Sequence, residues 1–194
     1  MIIPSPHTGI KPKIGPNVFV APTATIIGDV EIGEGSNIWF GAVIRGDVCT
    51  IKIGKNVSIQ DNCVIHSEAG TTCIIGDNII MGHKAIVHGP CTVANNVMIG
   101  LGSTVLAGTK IGEGAMIAAG AVARKEVRAK TLVMGIPAIE KKELNAEEVE
   151  GTIQNSKFYM NNGQKFIEKG YNHPGIEEFQ ESEEEYVLGN TSLQ

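Results

Sequence analysis

The sequence predicts an all-β protein, a parallel β-helix of hexapeptide repeats followed by one C-terminal α-helix. Three observations support this fold class: aliphatic side chains recur every six residues, small residues occupy fixed places between them, and aromatic residues are scarce. A period of six matches neither the helical repeat nor the alternation of an ordinary strand. It is typical of a β-helix in which three hexads close one coil.

The six-residue period is carried by aliphatic residues in three runs separated by two short slips. The runs are Ile14, Val20, Ile26, Ile32, Ile38, Ile44; Ile53, Ile59, Ile65; and Ile75, Met81, Val87, Val93, Ile99, Val105, Ile111, Ile117. The hexads at 32–37 and 111–116 both begin Ile-Gly-Glu-Gly and have a small residue fifth. The first and fifth positions point inward, and the glycines suit corners with unusual backbone angles.

The repeats divide the chain into four predicted parts. Residues 1–13 form an extended lead-in, and the hexapeptide prism spans 14–137. In 138–170 we expect a helix packed on a prism flank, because Asn145 can cap it, Glu148 lies in its first turn and an apolar stripe of helical period spans 146–169. Residues 171–194 are acidic with few apolar partners, which indicates a disordered tail.

Charge and cysteine usage narrow the function classes. A net charge of −5 without a basic stripe argues against nucleic acid as a partner. No apolar run approaches ~18 residues and no charged-then-apolar leader is present, so we expect no membrane contact.

The four cysteines lack zinc-finger spacing. Cys63 and Cys91 fall at fifth hexad positions, and we interpret them as core thiols in a reducing cytoplasm.

Two histidines are predicted to stack on one side of the prism. Counting hexads modulo three places Arg45, His66 and His88 in one outward column, at the ~4.8 Å spacing of neighbouring strands. Imidazoles this close can converge on one ion at Zn–N distances of ~2.0–2.1 Å. We interpret His7 and His173 as ordinary surface histidines. The stacked pair instead predicts a metal site.

A third histidine, His83, lies one side earlier in the coil. A side is ~15 Å long, so His83 cannot reach an ion held by His66 and His88 of its own chain. It could reach the ion of another chain if the prisms pack around a three-fold axis.

The side that carries His83 also holds three other notable residues. Gln60 lies one coil below His83, where it would face the neighbouring column too. Trp39 and Phe40 lie one coil lower still. We interpret this bulky pair as exposed and part of an interface between chains.

These residues resemble the γ-class carbonic anhydrases and their close relatives. The matching elements are Arg45-Gly-Asp47, the stretch Ile-Gln-Asp-Asn-Cys-Val-Ile-His at 59–66, and Met-Gly-His at 81–83 through Val87-His88. The stretch at 59–66 is also similar to the family branch associated with phenylacetate and carnitine metabolism. The resemblance covers the prism and the C-terminal helix. It implies a left-handed parallel β-helix and a homotrimer with a metal at each subunit interface.

The resemblance also implies roles for the matching residues. His66 and His88 would be ligands from one subunit and His83 the ligand from the next. The metal would be Zn²⁺, with Fe²⁺ or Co²⁺ also suited to such a site. Water on the metal would have a pKa near ~7, and the hydroxide would attack CO₂ to give bicarbonate. Gln60 would hydrogen-bond that hydroxide.

Other positions bear on assembly and proton transfer. By resemblance, Arg45 and Asp47 would form an ion pair at the interface. In the best-known active type a glutamate follows this aspartate and an acidic loop supplies another; here the first position is Val48, and the loop's only carboxylate is Glu68. Glu68 is therefore the candidate substitute proton shuttle, although an ordinary exposed loop acid would also explain it, and hydration is expected to be slow or buffer-dependent. Tyr159 looks like a tyrosine that relatives place near the metal, although helix packing would also explain it.

Two other functions remain open. The same metal site could hydrolyse CoA thioesters, or the chain could be an acyltransferase of the hexapeptide type, an enzyme class that uses a single histidine as general base. Alternatively, the protein could be a catalytically silent assembly protein that keeps its metal as a staple between subunits. Val48 and the short loop after His66 favour this last reading.

Overall fold

The computed structural model describes residues 1–182 and shows a parallel β-helix whose sides are formed by two sheets. The larger sheet contains β1 (Ile2–Ile3), β2 (Lys13–Ile14), β4 (Thr25–Ile32), β6 (Val43–Ile53), β8 (Val64–Ser67), β9 (Thr72–Ile75), β11 (Ile86–Gly89), β12 (Cys91–Val93), β14 (Thr104–Val105), β15 (Lys110–Ile111), β17 (Val122–Ala123) and β18 (Glu126–Val127). The smaller sheet contains β3 (Phe19–Val20), β5 (Asn37–Ile38), β7 (Ser58–Ile59), β10 (Ile80–Met81), β13 (Met98–Ile99), β16 (Met116–Ile117), β19 (Thr131–Met134) and β20 (Ile139–Glu143).

The larger sheet covers two sides of the coil. The start of β6 pairs with β8, which continues through β11 and β14 to β17; we call this the histidine side. The end of β6 pairs with β9, which continues through β12 and β15 to β18; we call this the thiol side. The smaller sheet forms the third side, the helix side. All pairings are parallel except that of β19 with β20.

The inward positions follow the hexads. Ile26, Ile44, Ile65, Val87 and Val105 are fully buried and stack along the core behind the histidine side. Because each coil buries only a few aliphatic side chains, the core is continuous only when the coils are stacked. The predicted fold class, a hexapeptide β-helix followed by one helix, is confirmed.

Asparagines fix one corner of the prism. Asn56, Asn78 and Asn96 adopt φ of 54°, 55° and 63°, the left-handed region that asparagine tolerates. Their amides form a ladder: Asn56 Nδ2 donates to Asn78 Oδ1 (3.3 Å), Asn78 Nδ2 to Asn96 Oδ1 (3.0 Å), and Asn96 Nδ2 to Glu113 Oε1 (3.1 Å). The ladder joins successive coils where the strands are interrupted.

The helix α1 (Ala146–Glu168) lies on the helix side, against β3, β5, β7 and β10. Its first turn has a capping box: Asn145 Oδ1 accepts from the Glu148 N–H (2.9 Å), and Glu148 Oε2 accepts from the Asn145 N–H (3.1 Å). Gly163 is buried where the helix packs against Phe19 and Asn37 of the prism. No helix in this described part of the chain is long and apolar enough to cross a membrane.

The interface prediction for Trp39 is wrong, because α1 of the same chain covers this residue. Only 7% of Trp39 is exposed. Its ring lies 5.2 Å from those of Phe19 and Phe166 and 6.3 Å from that of Tyr159. Phe40 remains 38% exposed. The apolar stripe of the helix therefore has its partner within the chain.

The segment after the helix is also ordered in part. A 3-10 helix, Ile176–Glu178, buries Ile176, and Gln180 forms a parallel bridge with Ile14 of the first coil. The prediction of a disordered tail is therefore wrong for residues 171–182; residues 183–194 lie outside the described part. His173 is half-buried rather than a free surface residue, and its backbone N–H donates to the Val20 carbonyl (2.7 Å).

Candidate metal centre

The predicted histidine column is present on the histidine side. Arg45 of β6 is in register with His66 of β8, and His66 with His88 of β11. The centroids of the two imidazole rings are 5.6 Å apart, with the rings inclined at 67°. Since all three residues occupy outward positions on adjacent strands, the hexad register alone brings the two rings together.

Asp47 connects Arg45 with His66 at the base of this column. Its Oδ2 accepts from Arg45 Nη1 (2.7 Å), and its Oδ1 lies 3.2 Å from His66 Nε2. Burial opposes ionisation of Asp47, but the hydrogen bond and charge of Arg45 outweigh it and lower the pKa of the carboxyl. Burial, with the nearby Arg45 charge, lowers the pKa of His66 and so favours the neutral ring that metal ligation requires.

The predicted ion pair of Arg45 with Asp47 forms within one chain. Its place at an interface stays a prediction. The contact of Asp47 with His66 was not expected from the sequence. The two-residue offset between Arg45 and Asp47, next to the column, is the signal that could have pointed to it.

His83 is held in the turn between β10 and β11 by the turn one coil below. Its Nδ1 lies 2.8 Å from Asp61 Oδ2, and its backbone N–H donates to Gln60 Oε1 (3.2 Å). Gln60 is only 4% exposed. The bond to Asp61 leaves Nε2 of His83 to face a second partner. Sequence reasoning did not single out Asp61, although it occupies the same hexad position as His83.

A single chain does not assemble the three histidines. Within residues 1–182, no group of three or more His, Cys, Asp or Glu side chains could hold a metal ion. The donor set nevertheless suits a divalent metal: two imidazoles in register, and a third oriented through its Nδ1 by a carboxylate. Carboxylates commonly orient metal-ligating histidines in this way.

An apolar groove opens beside Gln60 and His83. It has a volume of about 570 Å³. Its lining residues also include Ile80, Met98, Leu101, Met116, Phe158 and Tyr159. Tyr159 therefore lies beside Gln60 and His83 in this groove, while its ring also packs edge-on against Trp39. The groove itself could not be predicted from the sequence, since its lining combines residues of the prism with residues of α1.

Glu68 lies outside this groove. It is exposed in the turn that follows β8, two residues after His66, and its carbonyl accepts from the Thr71 hydroxyl (2.6 Å). Val48 lines a smaller cavity of about 200 Å³ with Asp29 and Cys49. Neither position brings a carboxylate into the lining of the larger groove.

Comparison with known proteins gives consistent results. Residues 11–46 match the family described as bacterial transferase hexapeptide (six repeats). The chain is 39% identical over 163 residues to a carbonic anhydrase of Geobacillus kaustophilus, covering 83% of this chain and 89% of that protein. It is 34% identical over 154 residues to the carnitine operon protein CaiE of Escherichia coli, covering 78% of each.

One structural relative and one longer relative complete the comparison. A hexapeptide transferase family protein from Anaplasma phagocytophilum superimposes with a TM-score of 0.80 at 36% identity, covering 86% of this chain and 98% of that one. The mitochondrial gamma carbonic anhydrase 2 of Arabidopsis thaliana is 40% identical over 159 residues, covering 78% of this chain, which spans only 57% of that relative's length. The chain belongs to the hexapeptide-repeat family that includes the γ-class carbonic anhydrases.

Proposed function

We propose that the protein catalyses the reversible hydration of CO₂ to bicarbonate, as a homotrimer with one metal at each subunit interface. The observation that carries this proposal is the division of the histidines. His66 and His88 lie in register on one side, whereas His83 is oriented by Asp61 on another. A second copy of the chain would complete the set, and cyclic symmetry would repeat it three times.

In this proposal His66 and His88 of one subunit and His83 of the next would hold Zn²⁺, with Fe²⁺ or Co²⁺ as alternatives. A bound metal would supply Lewis acidity that lowers the pKa of water to ~7. Gln60, which is buried and accepts a hydrogen bond from the His83 backbone, would orient the attacking water beside the metal. Tyr159 lines the groove through which CO₂ enters. The apolar lining suits a neutral, linear substrate.

The proton released by hydration needs an acceptor. We assign this role to Glu68, which is exposed and close in sequence to His66. Arg45 and Asp47 stabilise the histidine column. In the trimer they would also stabilise the subunit interface beside it. Because Glu68 is not part of the groove lining, we expect turnover to be slow and to rise with the concentration of buffer.

Subunit complementation tests the proposal. His83→Ala and His88→Ala variants should each lose bound metal and CO₂ hydration in stopped-flow assays, whereas His7→Ala should retain both. Trimers reconstituted from an equal mixture of the two inactive variants should regain roughly a quarter of the sites, because one subunit supplies His83 and its neighbour His66 with His88.

Two results would count against this assignment. Metal content and activity that stay absent in the mixed trimers would place all ligands in one chain or show that these histidines are not ligands. Full metal occupancy in the wild type without CO₂ hydration would leave the trimeric metal site but remove the proposed substrate. That second result would support the silent assembly protein, in which the metal only joins subunits.

The apolar groove favours one second candidate, hydrolysis of acyl-CoA thioesters. A groove of about 570 Å³ is much larger than CO₂ requires and has the size of a small-molecule site. If acyl chains occupy it, Leu101→Asp should abolish thioester hydrolysis, because the new carboxylate would lie in the apolar lining. A panel of acyl-CoA esters, hydrolysed or left intact by the metal-loaded protein, decides between the candidates. Transfer to an amine or alcohol acceptor would instead identify an acyltransferase.

We further infer that the protein works in a reducing compartment, the cytoplasm. All four cysteines are buried and unpaired by disulfides. Buried free thiols are usual for proteins of reducing compartments.

A further inference from the structure

Cys73 and Cys91 face each other inside the thiol side of the prism. Cys73 of β9 is in direct register with Cys91 of β12, one coil above. Their sulfur atoms are 3.3 Å apart. Paired strands place such residues ~4.8 Å apart, inside the Cα–Cα range of ~4.4–6.8 Å that a disulfide requires.

The two thiols differ in burial and in the direction of their pKa shifts. Cys73 is fully buried, whereas 5% of Cys91 is exposed. The hydrogen bond between them raises the pKa of Cys73, and burial adds to this effect. The same bond, with Cys73 as the donor, lowers the pKa of Cys91. Of this pair, Cys91 therefore has the lower pKa and the small exposed fraction.

We propose that Cys73 and Cys91 form a modification site, a thiol pair that a low-molecular-weight disulfide converts to an intramolecular disulfide. The Cys91 thiolate attacks one sulfur of the oxidant, forming a mixed disulfide and releasing one thiol. Cys73 then loses its proton and attacks Cys91 Sγ, releasing the second thiol. Two protein thiols are oxidised and one small disulfide is reduced to two thiols, so that atoms and electrons balance.

The position of the pair links it to the histidine side. Cys91 follows His88 by three residues, through Gly89 and Pro90. A Cβ on Gly89 would come within 3.0 Å of the Cys73 Cβ. Forming the S–S bond draws the sulfurs from 3.3 Å to ~2.05 Å and ties the start of β12, two residues after the end of β11, to β9. It also closes a loop between residues 18 apart. We therefore expect oxidation to raise the thermal midpoint, since the cross-link restricts the unfolded chain.

The test is oxidation of the native, full-length protein by glutathione disulfide, followed by thiol titration, intact mass and peptide mapping. The expected result is a fall from four free thiols to two, a mass loss of two hydrogens, and a cross-linked peptide containing Cys73 and Cys91. Dithiothreitol should reverse it. Cys63→Ser should still form the cross-link, because Cys63 lies on another side of the prism.

Single substitutions give the complementary result. Cys73→Ser should stop at a glutathione adduct on Cys91, whereas Cys91→Ser should take up no glutathione at Cys73, since Cys73 is fully buried. Four unreacted thiols in the wild type, or a cross-link that involves Cys49 or Cys63, would overturn the proposal. Neither readout depends on the activity proposed above, so the two can fail separately.

Discussion

At the scale of single residues, the candidate site depends on carboxylates that hold its imidazoles. Asp47 contacts His66 and Asp61 contacts His83, each at hydrogen-bond distance. Such partners fix the orientation of the ring and raise its strength as a ligand. The carboxylates are therefore as much a part of the proposed centre as the histidines.

Asp61→Asn should weaken metal binding without unfolding the chain. Losing the charged acceptor at His83 Nδ1 is expected to lower metal affinity about 10- to 100-fold. Because Asp61 is partly exposed, the thermal midpoint of the metal-free protein should change little. Competition with a chromogenic chelator measures the affinity. Asp77→Asn, another turn aspartate of the repeats, is the control and should bind metal normally; equal losses in both variants would contradict a specific role for Asp61.

His173 should make stability depend on pH. Burial lowers its pKa, and the Met1 amino group adds to this effect, while the Pro174 backbone and Glu177 oppose it. Between the folded pKa and the unfolded value near 6.5 the unfolded chain binds more protons, so stability is complete above that value and falls as the pH decreases. Urea unfolding between pH 7.5 and 5 should show a smaller loss for His173→Gln than for the wild type. Parallel pH profiles would show that His173 does not contribute.

At the scale of secondary-structure elements, α1 is placed by one close contact. A Cβ atom added at Gly163 would lie 3.2 Å from the Cβ atoms of Phe19 and Asn37. Glycine is unfavourable inside a helix, so its presence here reflects the approach to the prism rather than helix propensity. The same contact brings Phe166 and Tyr159 over Trp39 and defines one wall of the groove.

The two helical glycines should therefore respond differently to alanine. At Gly151 an added Cβ meets nothing within 4 Å, so Gly151→Ala should stabilise the protein by about 0.5–1 kcal/mol through helix propensity alone. At Gly163 the gain should be smaller or reversed, because Phe19 and Asn37 must move. Denaturant unfolding of both variants measures the difference. An equal gain at the two positions would mean that the helix does not press on the prism.

At the scale of the whole molecule, the proposed centre joins subunits, so metal binding and assembly should be coupled. Any ligand that binds only the folded assembly stabilises it by mass action. At a free metal concentration of about 100 times Kd, the stabilisation is about 2.7 kcal/mol.

Chelation should accordingly lower the thermal midpoint of the wild-type protein and promote subunit dissociation at low concentration. Scanning calorimetry and analytical ultracentrifugation, with and without a chelator, measure both effects. His83→Ala should melt at the chelated wild-type temperature and be insensitive to the chelator. A wild-type trimer that is equally stable with and without metal would show that assembly rests on other contacts.

The sequence by itself determined the coil and its register. A hexad is a short-range pattern, so counting along the chain was sufficient to stack Arg45, His66 and His88 and to place His83 on a different side. Asn145 and Glu148 likewise marked the start of α1, because a cap is made by residues three positions apart. Each of these conclusions depends on neighbours in sequence or on a fixed period.

Only the tertiary structure decided the features that depend on how separate elements meet. Trp39 is buried because α1 returns along the prism, and Ile176 is buried because the segment after the helix reaches the first coil. The contact of Asp61 with His83 and the distance between the Cys73 and Cys91 sulfurs require side-chain geometry. The repeat determines which residues are neighbours across coils. The segments outside the repeat follow no period, so their path is known only from the three-dimensional structure.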